Sequence, residues 1–152
     1  MKILSIGNSF SHSVLVNLPK YAAAGGEDLV LVNMMIPGCV LSRHASNIVE
    51  AASNPELKPY NVDRYDGLKR SPRIKANIPE MLAAEKWDVV TIQQGSSKCF
   101  DDSHYYPWGD ILIKEIRRLA PQAKIYFQQT WTYNEVDRCI RARLTDGPGW
   151  FG

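Results

Sequence analysis

Cysteine is scarce in this chain of 152 residues: Cys39, Cys99 and Cys139 are odd in number, and none stands in a Cys-x-x-Cys pair. That disfavours a disulfide framework and a zinc ribbon, leaves room for one bridge at most, and predicts reduced thiols in a cytoplasmic protein. Histidine is equally scarce, with His12, His44 and His104 alone. No apolar run approaches the length needed to cross a bilayer, and the N-terminus enters a strand-like run without the pattern of a signal peptide. Charge of one sign is also lacking. Eighteen Lys and Arg against 16 Asp and Glu leave a net charge of +2, so nothing argues for a nucleic acid or a membrane as partner. The basic residues Lys69, Arg70 and Arg73, flanked by Asp63 and Asp66, read as a solvated loop. Asp101, Asp102 and His104 fit no metal-ligand signature, so no metal is expected.

What is present suits one soluble domain over 1–152, with 45% apolar and 22% charged residues and enough length for a real core. Residues 2–7, 28–35, 87–93 and 123–128 are apolar runs of the kind found in strands buried on both faces. Between them, helical spacing marks 12–24, 41–52, 77–86 and 108–119. Gly25-Gly26 closes the first helix, Pro19 threatens to kink it, and Asn77 with Pro79 opens the third. Residues 53–75, broken by Pro55, Pro59, Gly67 and Pro72, read as a long excursion with room for a short hairpin. Residues 134–144 are charge-rich and weakly helical, and the tail beyond has no period. The alternation of strand and helix predicts a parallel sheet wound with helices on both faces.

In such a sheet, reacting groups gather beyond the carboxyl ends of the strands. There stand Gly7-Asn8-Ser9, Gly38, Gln93-Gln94-Gly95-Ser96 and Gln129-Thr130-Trp131. A serine hydroxyl, a glycine whose N–H a ligand can approach, and a carboxamide are the parts of a nucleophile and its oxyanion hole. Ser9 also reads as a plain N-cap of the following helix. Trp108, Trp131 and Tyr133 read either as a wall for stacking a sugar or as ordinary rim packing. Cys39 and Cys99 read as packing residues near the mouth.

Ile6-Gly7-Asn8-Ser9-Phe10-Ser11 resembles the first block of the SGNH/GDSL hydrolases. Gly38-Cys-Val-Leu-Ser-Arg-His44 is similar to their glycine-bearing second block. With Asp88-Val-Val-Thr-Ile-Gln-Gln-Gly95-Ser96 and Gln128-Gln-Thr-Trp131-Thr-Tyr133, the run from 1 to about 135 resembles the DUF4886 branch. The resemblance implies a flavodoxin-like three-layer α/β/α sandwich and an esterase or deacylase acting on a small acylated substrate, such as an acetylated carbohydrate, without a cofactor. Ser9 would be the nucleophile, the N–H groups of Ser9 and Gly38 would hold the oxyanion, and Gln93 or Gln94 would take the place of the family's third-block asparagine. Adjacent strand residues face opposite ways, so spacing does not choose between the glutamines. His44 and Trp131 would line the substrate.

The resemblance also calls for a late Asp-x-x-His block after a fifth strand, and these 152 residues contain none. The expectation is a C-terminally truncated member, catalytically impaired or acting as a binding domain, unless another base activates the serine. His12 reads as a solvent-facing residue of the first helical turn. His44 reads either as lining the site or as a hydrogen-bonder on a helix surface. His104, beside Asp101 and Asp102, reads either as a carboxylate-supported base or as part of an ordinary helix start. A missing fifth strand would expose a sheet edge through which copies of the chain associate.

Overall fold

A computed structural model describes residues 1–130 of the chain. Trp131, Tyr133 and the weak helix at 134–144 lie outside the described residues. Four strands, β1 (Lys2–Gly7), β2 (Val30–Met35), β6 (Val89–Gln93) and β7 (Lys124–Gln128), form a parallel block in the order β2-β1-β6-β7. The excursion at 53–75 corrects the expectation of a purely parallel sheet. It supplies β3 (Tyr60–Asp66), β4 (Lys69–Arg70) and β5 (Ile74–Ala76), and β3 lies antiparallel to β2, making seven strands among the described residues. Gly67, at φ +56°, helps close the tight turn into β4, a backbone region that side chains avoid.

Helices cover both faces of the sheet. The predicted helix 12–24 is two helices, α1 (Ser9–Leu15) and α2 (Leu18–Ala24), meeting at Asn17. Pro19 does not kink a helix interior; it sits in the first turn of α2, where its missing N–H leaves no bond unmade. Leu15, Leu18 and Ala22 from this pair pack with Ile3, Leu29, Leu31 and Tyr65. The other face carries the main core. There α3 (Leu41–Ser53), α4 (Ile78–Ala83) and α5 (Trp108–Leu119) set Leu41, Ile48, Leu82, Leu112 and Ile116 against Leu4, Ile6, Met34, Val90 and Ile92. The alternation of the strand residues divides the cores: Leu4 and Ile6 face one way, Ile3 the other. Among the described residues no helix is long and apolar enough to cross a membrane.

Candidate functional site

The chain leaves β1 for β2 on one side and later returns to place β6 on the other side of β1. The carboxyl ends of β1 and β6 therefore flank a topological switch point, where open α/β sheets form their ligand crevice. The loops at that point are Gly7-Asn8-Ser9 and Gln93-Gln94-Gly95.

Asn8 ties the rim together. Its extended backbone makes it the N-cap of α1, with Oδ1 accepting the Phe10 N–H at 3.0 Å. The same oxygen accepts a hydrogen bond from Gln93 Nε2 at 2.8 Å, and Asn8 Nδ2 donates to the Cys39 carbonyl at 2.9 Å. One buried carboxamide thus joins the loops after β1, β2 and β6. Beneath it, Ser11 Oγ lies 2.7 Å from the Asn8 carbonyl, its acceptor, and 2.9 Å from the Asn33 carboxamide. Asn8 takes the cap, so Ser9 is the first helical residue, not the N-cap. Ser9 is exposed, and no hydrogen bond among the described residues engages its Oγ.

Gly38 lies in the turn closed by the Cys39 N–H on the Ile36 carbonyl at 3.2 Å. Its φ of +64° needs glycine, and it is exposed one residue from the carbonyl that Asn8 holds.

Both glutamines are buried, and both are engaged in the scaffold. Gln93 donates to Asn8, and its buried Oε1 has no partner among the described residues. Gln94 Oε1 accepts from the Leu41 N–H at 3.0 Å and the Gly95 N–H at 2.9 Å, while its Nε2 donates to the His104 carbonyl at 2.7 Å. Val40 gives α3 no side-chain cap, so Gln94 serves one of the helix's orphan donors from across the rim. It also fixes the loop that carries His104.

The three histidines fare differently. His12 is half-buried on α1. His44, expected to line the site or sit on a helix surface, is fully buried. Its Nδ1 lies 2.7 Å from the Tyr60 hydroxyl and 3.6 Å from Cys39 Sγ, its ring stacks on Tyr60, and among the described residues its Nε2 has no partner. Burial, with the Arg43 charge adding to it, pushes the imidazole down to about 4. Burial likewise pushes the Cys39 thiol up to about 11, so it is no thiolate at neutral pH. Asn47 Nδ2 donates to the Tyr60 hydroxyl at 3.2 Å and completes this polar group behind the Gly38 turn. His104 stands in a short 3₁₀ turn with Nε2 3.4 Å from Asp101 Oδ2. Asp101 caps that turn through Ser103, whose hydroxyl and N–H donate to it and hold its carboxyl below the usual range. The pairing of His104 with Asp101 and the capping role of Asp101 are therefore both present.

Trp131 lies outside the described residues. Among the described residues no group of three or more His, Cys, Asp or Glu side chains could hold a metal. Reading the residues in order missed the central part of Asn8 and the pairing of His44 with Cys39 and Tyr60. A polar Asx residue between a strand and a helix was the available signal for the first.

A family model described as "Domain of unknown function (DUF4886)" matches residues 2–140. The chain belongs to that family. A crystal structure of a DUF4886 family protein from Bacteroides uniformis ATCC 8492 is similar in fold, with a TM-score of 0.81 and 29% identity over 93% of this chain. This DUF4886 chain covers 54% of that neighbour, so it spans about half the neighbour's length. No curated protein matches it.

Proposed function

We propose that this DUF4886 chain is a serine hydrolase of the SGNH type, with the sandwich fold of that superfamily, cleaving an acyl ester such as an acetyl group on a carbohydrate. The observation that carries the reading is the Asn8 knot, which draws the loops after β1, β2 and β6 around the residue preceding Ser9. In this reading the Ser9 oxygen attacks the acyl carbon and the carbonyl becomes an oxyanion, received by the N–H groups of Ser9 and Gly38. The bond to the alcohol breaks and the alcohol leaves with the proton taken from Ser9. Water then cleaves the acyl-serine, releasing the acid and restoring the hydroxyl. His104, supported by Asp101, is the proton carrier in this scheme, and Gln93 and Gln94 hold the rim in place without touching the substrate. His44 acts from behind the Gly38 turn, and Trp131 is assigned to the substrate wall by its place after a strand end in the sequence.

The test is hydrolysis of p-nitrophenyl acetate by the chain and by Ser9→Ala and His104→Ala. Loss of at least about a hundredfold in kcat/KM in both variants is the expected result. Activity that survives Ser9→Ala ends the proposal. A second reading, a binding domain without turnover, is favoured by one observation: no imidazole among the described residues hydrogen-bonds to Ser9 Oγ. Saturable binding of an acetylated saccharide with no release of acetate would select it.

A further inference from the structure

The polar edge formed by β3, β4 and β5 holds an arrangement that the Ser9 rim does not explain. Asp63, in the middle of β3, has a side chain only 2% exposed. Arg73 grips it with two bonds, Nε to Oδ1 at 2.9 Å and Nη2 to Oδ2 at 2.8 Å. Arg70 adds a third, Nη2 to Oδ1 at 2.6 Å. Burial works to raise the Asp63 pKa, but the bonds from Arg73 and Arg70 outweigh it and hold the carboxyl below its usual range.

One buried carboxylate therefore anchors two guanidiniums and neutralises only one of them. Both side chains remain nearly half exposed, at 49% and 45%. Arg70 is also seated over the Tyr65 ring, 5.9 Å from its centroid. Most of their N–H donors are left for something else, in a geometry already fixed. Neighbouring carboxylates do not compete: Asp66 and Glu85 are bonded by Arg64, whose side chain shares the face of Val62, opposite that of Asp63. Lys75, exposed on β5, pairs with Asn61 and so stands on the same face as Asp63.

We propose that Arg70, Arg73 and Lys75 form a binding site for an oxyanion, a carboxylate or phosphate group carried by a small ligand. Planar guanidiniums fixed beforehand match such a group bidentately and lose little freedom in doing so. Lys75 lies in one row with Asn61, Met35 and Gly7, three strand spacings or about 14 Å from the start of the Ser9 loop. A ligand held here is therefore on the side of the sheet where α1 presents Ser9. The inference does not depend on that serine being a nucleophile.

The test is calorimetric titration of the full chain with inorganic phosphate and, separately, with succinate, each at ionic strength balanced by chloride. Saturable binding of either anion, weakened at least about tenfold in Arg70→Gln, is the expected result and names the group. Arg70→Gln leaves the two-bond grip of Arg73 on Asp63, and an unchanged melting temperature in chloride checks its fold. If that variant does not fold, Lys75→Gln is the second, with binding weakened several-fold. Absence of saturable binding of both anions by the unaltered chain, or unchanged binding in the folded variants, overturns the proposal.

Discussion

A methyl group added at position 7 would collide with Gln93 Oε1 and lie 2.8 Å from Ser11 Oγ. Glycine is there to admit a carboxamide, and that carboxamide holds Asn8. Gly7→Ala should displace Gln93 and break its bond to Asn8, with a loss of about 2–4 kcal/mol in urea unfolding. A loss under about 0.5 kcal/mol would mean that the knot adapts freely. His44 gives a second test. The folded state keeps it neutral down to about 4, whereas its ordinary value is 6.5. Between those values the unfolded chain binds more protons, so stability is complete above pH 6.5 and falls as pH drops toward 4, by up to about 3 kcal/mol. In His44→Gln the slope between pH 5 and 6.5 should flatten relative to the unaltered chain; parallel urea midpoints would remove His44 as the cause. At this scale the sequence named the loops that Asn8 joins but not the contacts between them. Gln93, Gln94 and His44 are polar residues in apolar company, and nothing in their spacing tells a donor aimed at a ligand from one tied to a distant backbone.

At the scale of elements, legibility followed period. The strands β1, β2 and β6 were readable because burial on both faces leaves near-continuous apolar runs, and β7 was readable from its apolar centre although it is largely exposed. At 53–75 room for a short hairpin was readable, but not the three strands there or the pairing of β3 with β2. Asp63 and Arg64 sit in β3 because Arg70 and Arg73 bond Asp63, and Glu85 with Asp66 bonds Arg64, and a pairing between distant residues leaves no period behind. The helix break at Asn17 was hidden for another reason: the apolar spacing runs through it, and only Pro19 marks the new start. Capping was legible at the start of α4, though not at α1, where Asn8 and not Ser9 is the cap. Asn77 begins α4 as expected, accepting the Glu80 N–H at 2.9 Å and donating to the Pro55 carbonyl at 3.1 Å. Asn77→Ala therefore removes a cap and leaves a carbonyl unpaired, and should cost about 1–2 kcal/mol by thermal or urea unfolding. An unchanged midpoint would show that solvent replaces both bonds.

At the scale of the whole molecule the two ends of the sheet differ. The β3 end is flanked by β4 and β5 and carries Lys69, Arg70, Arg73 and Lys75, charges of the kind that discourage strand addition. The β7 end carries Tyr126, 54% exposed on one face, and Phe127, 43% exposed on the other, where it meets Tyr105 with ring centroids 5.4 Å apart. A parallel strand next to β6 is ordinarily covered on both faces, and among the described residues β6 is the only strand paired with β7. An apolar strand in that position invites a second copy of the chain. Antiparallel pairing of two β7 strands about Tyr126 would set each Lys124 opposite a Gln128, with no like charges facing. Sedimentation velocity should then show a dimer that grows with concentration, and Tyr126→Lys, which puts a charge on the edge without touching the core, should return the chain to monomer with unchanged circular dichroism. A clean monomer at every concentration in the unaltered chain would mean that this edge is already covered, and the association would have to be abandoned.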